Sequence, residues 1–147
     1  MVAALGCLAL LGAGVATGKE RRALAARYLA IARAGNRGLD HSLGLLEGRD
    51  KNRLGSARID LRHAVSVERT FDRRLLEIRF PPRIEKVAIT LYRVNQARAR
   101  LTAAAAGATS LDELHAHEAR LDEANKPVER AVRTIRRQLG LPPPPSS

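Results

Sequence analysis

The sequence predicts an all-α protein folded as an antiparallel up-and-down helical bundle. Apolar residues recur at steps of three and four along most of the chain. No segment alternates apolar and polar positions with β-branched residues and hairpin turns, so strands are not expected. The chain has 147 residues, 45% of them hydrophobic, which suits one domain with a sizeable core rather than two.

The first helix is predicted by Leu24, Tyr28, Ile31, Gly35, Leu39, Leu43 and Leu46, which share one face. Gly35-Asn36-Arg37-Gly38 weakens its middle, because each glycine costs about 1 kcal/mol against alanine. A bend is expected there. Gly48 is the expected stop, in left-handed geometry. A second helix is predicted from Asn52 to Arg79, with Leu54, Ala57, Leu61, Ala64, Glu68, Phe71, Leu75 and Ile78 on its stripe. Phe80-Pro81-Pro82 ends it, since a residue before proline is pushed out of the α region. Pro82 then suits the first turn of a third helix carrying Ile84, Val87, Leu91, Val94, Arg98, Leu101 and Ala105. Ser110 and Glu113 read as a capping box before Leu111, Leu114, Glu118 and Leu121. Asn125-Lys126-Pro127 predicts a break or kink, after which Val128, Ala131, Val132, Ile135 and Leu139 run to Gly140. The expected bundle is therefore three long helices plus a fourth broken near Pro127. Its predicted core includes Leu61, Phe71, Leu75, Leu91, Leu101 and Leu121.

The ends differ from this middle. Val2 to Gly18 carries no charged side chain, and Lys19-Glu20-Arg21-Arg22 follows at once. Such a run is short for a bilayer span of about 20 residues and suits a signal peptide or apolar anchor. Ala16-Thr17-Gly18 puts small residues at the end of it, consistent with a cut after Gly18. No Lys or Arg precedes the run. Residues 1–18 are expected to be a signal or anchor that offers membrane association through residues 2–18. Residues 19–140 are expected to be the bundle. Residues 141–147, with four consecutive prolines, are expected to form an extended tail.

Charge is the strongest global feature. Lys and Arg total 26 against 15 Asp and Glu, a formal net charge of +11. Arg58, Arg62, Arg69 and Arg73 form one stripe at helical spacing, and Arg130, Arg133 and Arg137 form another. Basic stripes attract anionic surfaces. The plainer origin is a coding bias toward Ala, Arg and Leu, and Glu68 and Asp72 interleave the first stripe. Zinc-finger, aromatic-platform and clear helix-turn-helix signatures are missing, so nucleic acid is not the expected partner.

Catalytic and cofactor motifs are not assembled. A single Cys, Cys7, excludes a disulfide framework and a Cys-based zinc site. Gly12, Gly14, Gly18 and Lys19 do not have phosphate-loop spacing, and there is no G-x-S-x-G. Asp60-Leu61-Arg62-His63 and Asp112-Glu113-Leu114-His115 both read D-x-x-H, a pattern that carboxylate-bridged metal bundles use. Asp60 and His63 lie about 100° and 160° from Leu61 around the helix, so they are expected to face solvent. Glu68, Arg98 and Glu118 occupy positions otherwise given to apolar residues. A Glu68–Arg98 or Glu118–Arg98 ion pair would fix bundle register, and a polar pocket for a small ligand is the functional alternative. No cofactor is expected, and no enzyme.

Several strings resemble small exported proteins, often labelled lipoproteins, of high-GC bacteria. They are Ala26-Arg27-Tyr28-Leu29-Ala30-Ile31-Ala32 with Gly35-Asn36, Phe71-Asp72-Arg73-Arg74-Leu75-Leu76 with Phe80-Pro81-Pro82, Asn125-Lys126-Pro127-Val128, and Leu139-Gly140-Leu141-Pro142-Pro143. The resemblance implies an extracytoplasmic location and carries over no functional residue. The segment Ala4-Leu5-Gly6 before Cys7 departs from a lipid-attachment box. The expected function is that of a non-enzymatic interaction module at the cell envelope, docking a protein or an anionic envelope component. A small-ligand or metal-binding bundle is the alternative, and a basic cytosolic nucleic-acid binder comes third.

Overall fold

The computed structural model describes residues 17–144. The expected signal or anchor therefore lies outside the described residues, apart from its last two positions. The described chain is four helices: α1 (Gly18–Glu47), α2 (Leu54–Leu76), α3 (Pro82–Ala105) and α4 (Leu111–Gln138). No strand occurs among the described residues. No helix among them is long and apolar enough to cross a membrane. Each helix packs along its length on the next in sequence.

Two apolar clusters show that the helices alternate in direction. One joins the start of α1 (Ala25, Tyr28), the end of α2 (Leu75), the start of α3 (Ile84, Ala88, Leu91) and the end of α4 (Val128, Ala131, Ile135). The other joins the opposite ends: Ala57 and Leu61 of α2, Ala105 at the end of α3 with Ala106 after it, and Leu114 of α4, with Leu46 of α1 against them. This is the up-and-down arrangement.

Local chemistry explains the helix ends. Thr17 and Glu20 make a full capping box, in which the Thr17 amide donates to Glu20 Oε2 at 2.7 Å and the Glu20 amide donates to Thr17 Oγ1 at 3.3 Å. Ser110 caps α4 through the Glu113 amide at 3.1 Å, but the Glu113 carboxylate turns to Thr109, accepting from its amide at 2.7 Å and its hydroxyl at 2.8 Å. Gly140, at φ 72°, closes α4 in the left-handed region. The Leu141 amide reaches the Arg136 carbonyl at 2.9 Å and the Gly140 amide reaches that of Arg137 at 3.1 Å, which is a Schellman closure.

Several expectations are corrected. Gly48 stops α1 at φ −101°, outside the left-handed region. α4 is not broken: it runs continuously through Pro127. An interior proline costs about 3 kcal/mol. Here Leu114 on one side and Val128, Ala131 and Ile135 on the other are buried, which holds both halves to the same core. The first helix, by contrast, carries its register through Gly35 and Gly38 without a turn, as expected. They are where α1 approaches α2: a Cβ at Gly35 would lie 3.6 Å from Phe71 Cδ2, and one at Gly38 would lie 2.8 Å from Val67 Cγ2. Leu61, Leu75 and Leu91 are fully buried as expected. Phe71, Leu101 and Leu121 are only half-buried. Phe71 lies over the Gly35 notch, at the rim of the core rather than its centre.

Candidate functional site

Between the two apolar clusters lies a polar layer. Glu68 and Asp72 of α2 are each 3% exposed, and Asn95 of α3 is 2% exposed. Arg98 Nε approaches Glu68 Oε1 at 2.8 Å, the expected ion pair. The Arg98 guanidinium also donates to Asn95 Oδ1 at 2.9 Å and to Asn125 Oδ1 of α4 at 3.2 Å. Asn95 Nδ2 donates to Asp72 Oδ1 at 2.8 Å. One arginine thus ties α2, α3 and α4 at a single level of the bundle. Glu118 takes no part: it is exposed, and the polar partner on α4 is Asn125 instead. Its long side chain leaves the apolar stripe for water, as such chains readily do.

Burial raises both acids of the layer. Asp72 is pushed up to about 6, chiefly by desolvation, against the hydrogen bond from Asn95 and the charge of Arg98. Glu68 is raised by desolvation and pulled back by Arg98. Glu68 Oε2 and Asp72 Oδ2 are buried without a hydrogen-bond partner. Sequence reading missed Asp72, Asn95 and Asn125. A signal existed for two of them: Asn95 is four residues beyond Leu91, and Asp72 four beyond Glu68, so both share the inward face.

The D-x-x-H pairs behave differently from each other. Asp112 and His115 are exposed on the first turns of α4. Asp60, expected at the surface, is buried instead, beside Asp50. Desolvation and the Asp50 charge raise the Asp60 carboxyl, while Arg49, bonding Asp50 at 3.1 and 3.3 Å, holds Asp50 low. The loop after α1 folds Asp50 back onto α2, a placement that helical spacing within α2 does not encode. His63 shares a 2.6 Å hydrogen bond with the buried Ser42 hydroxyl of α1. Among the described residues no three His, Cys, Asp or Glu side chains converge as metal ligands.

The arginine stripes also separate by role. Arg58 is half-buried, and its Nε donates to the Ala106 carbonyl at 3.1 Å, so it caps the end of α3 rather than facing a partner. Arg62, Arg69 and Arg73 are exposed and form no ion pair among the described residues. They line one open groove of about 480 Å³ with Ser66 and Thr70, over a floor of Val65, Ala103 and Ala106. Small residues late in α3 leave the space, and the i, i+4, i+7, i+11 spacing along α2 puts the polar groups on one wall. On α4, Arg130 and Arg137 are exposed, and Arg133 pairs with Glu129 at 3.4 Å. The neighbouring Arg136 binds the tail instead, donating to the Pro142 carbonyl at 2.6 Å and that of Pro143 at 3.4 Å. No family model, curated protein or solved structure matches the chain. The groove and the polar layer therefore carry the functional argument by themselves.

Proposed function

We propose that the chain is a non-enzymatic helical interaction module of the cell envelope, exported by its apolar N-terminal segment, that docks an anionic partner through α2. The observation that carries the docking surface is the gathering of Arg62, Arg69 and Arg73 on one groove without a carboxylate partner among the described residues. The molecule spends Arg58 and Arg98 on its own carbonyls and carboxylates, and leaves these three unspent. Unpaired cations lining one concavity give it a positive potential, which attracts anions. The alternative of a ligand pocket built on Glu68, Arg98 and Glu118 loses support, because Glu118 stands apart and Arg98 is engaged by Glu68, Asn95 and Asn125.

Co-sedimentation with isolated bacterial envelopes tests the docking. The wild type is expected to sediment at low salt and to be released as salt rises. The Arg62→Ala, Arg69→Ala, Arg73→Ala triple variant is expected to stay in solution. The Arg130→Ala, Arg133→Ala, Arg137→Ala triple loses the same charge and is expected to sediment. Equal loss by both triples would reduce the effect to net charge and remove the groove from the argument. Fractionation of the producing cells with N-terminal sequencing tests the location. An intact Met1 in the soluble cytosolic fraction sinks the envelope reading.

A further inference from the structure

The geometry points to a specific ligand class for the α2–α3 groove: we infer that it binds a short chain of linked phosphates. The inference rests on the docking role proposed above and narrows it. Three features favour linked phosphates over other anions. First, one guanidinium fork engages both oxygens of a carboxylate and leaves about two of its four acceptor sites for any other donor. Three guanidinium groups on one groove call for a ligand with more acceptor oxygens, which phosphates supply. Secondly, Arg62 and Arg73 stand 11 residue steps apart on α2 with Arg69 between them, a rise of about 16 Å. Charge spread that far matches several phosphates in line better than a single orthophosphate. Thirdly, Ser66 and Thr70 stand between the arginines on the same wall and add hydroxyl donors along the line.

The far side of the groove is compatible with an anion. The C-terminal end of a helix carries partial negative charge, and the end of α3 borders the groove at Ala106. Arg58 occupies the Ala106 carbonyl at 3.1 Å and places a positive charge there. The floor is small and apolar, so it offers room without competing acceptor side chains.

Calorimetric titration of the full chain with inorganic tripolyphosphate, orthophosphate and phosphatidylglycerol vesicles tests this. Tripolyphosphate is expected to bind at least tenfold more tightly than orthophosphate and to displace the protein from the vesicles. Arg62→Ala, Arg69→Ala and Arg73→Ala are each expected to weaken tripolyphosphate at least fivefold, and Arg130→Ala less than twofold. Circular dichroism of each variant checks that the helices are retained, as exposed arginines allow. Three outcomes overturn the inference: no preference for tripolyphosphate over orthophosphate, vesicle binding that tripolyphosphate does not displace, or equal weakening by Arg130→Ala. If envelope sedimentation still depends on the groove arginines in those cases, the ligand class fails while the docking role stands. If sedimentation is also indifferent to them, both fail.

Discussion

The two ends of the bundle solve the same packing problem with different side chains. Where α1 begins and α4 ends, the interior is filled by Tyr28, Leu75, Leu91, Ile135 and Leu139, each at most 3% exposed. At the other end, the buried cluster is Ala57, Ala105, Ala106 and Ala108 around Leu61 and Leu114. Large side chains stabilise through apolar area, at about 25 cal/mol per Å². Alanine contributes little area of its own but lets helices approach. The first end therefore carries more of the stability, while the second gives up area and leaves room for the groove above Ala103 and Ala106.

Opposite substitutions at the two ends test whether the difference in packing is real. Leu91→Ala is expected to cost about 2–5 kcal/mol by opening a cavity among large neighbours. Ala105→Leu is expected to cost about 1–3 kcal/mol by overpacking. Urea denaturation measures both. A stabilising Ala105→Leu would show that the alanine end is loose rather than close-packed.

The layer between the ends is the next test. Arg98→Ala is expected to destabilise by about 3 kcal/mol, because it strands Glu68 and two asparagine carbonyls. Adding Glu68→Leu to Arg98→Met should recover much of that loss, since an apolar replacement leaves neither a stranded charge nor a hole. A double variant as unstable as Arg98→Ala would mean that the two asparagines, not the ion pair, hold the layer.

Asp72 makes the layer sensitive to pH. Its carboxyl titrates at about 6 in the folded protein, above its ordinary 3.8. The folded state binds this proton more tightly than the unfolded state does, so stability falls as pH rises between those two values. Below 3.8 the penalty is gone, and above about 6 it is present in full. Compared with Asp72→Asn, the wild type is expected to lose roughly 1–3 kcal/mol between about pH 4 and about pH 7.5. Parallel melting curves for the two proteins across that range would remove Asp72 as the cause.

The smallest expected effects concern glycines of one helix. Gly38→Ala gains about 1 kcal/mol of helix propensity and meets Val67, for a net loss of about 1 kcal/mol. Gly44→Ala has nothing within 4 Å of the new Cβ and is expected to stabilise by about 0.5–1 kcal/mol. Thermal melts of the pair decide whether the α1–α2 approach is as close as Val67 implies.

The fold class was legible because amphipathic periodicity is local: Leu61, Leu75 and Leu91 sit where their spacing puts them. The Glu68–Arg98 pair was legible for the same reason, since charges on an apolar stripe must find partners. Pro127 misled because a local penalty of about 3 kcal/mol was weighed without the burial on either side of it. Asp60 misled because the residue that receives it, Asp50, comes from a loop whose path no periodicity describes. Gly35 and Gly38 read as weak points when each was judged only against its own helix. The spacing of Arg62, Arg69 and Arg73 was visible, but their groove was not, because its other wall is the alanine run of α3.

The Schellman closure at Gly140 has a practical consequence for orientation. A Cβ at Gly140 would lie 3.9 Å from Arg21 Nε, so α4 finishes beside the start of α1. Both ends of the described chain therefore emerge on the same side. The groove runs along α2 from Arg62 to Arg73, so it lies on the flank of the bundle rather than at either end. Attachment through the C-terminal tail would stand the bundle on that end and leave the α2 flank open to solution. A sensor chip coupled through the tail, or a fluorophore fused there, would report binding at the arginines without standing in the way.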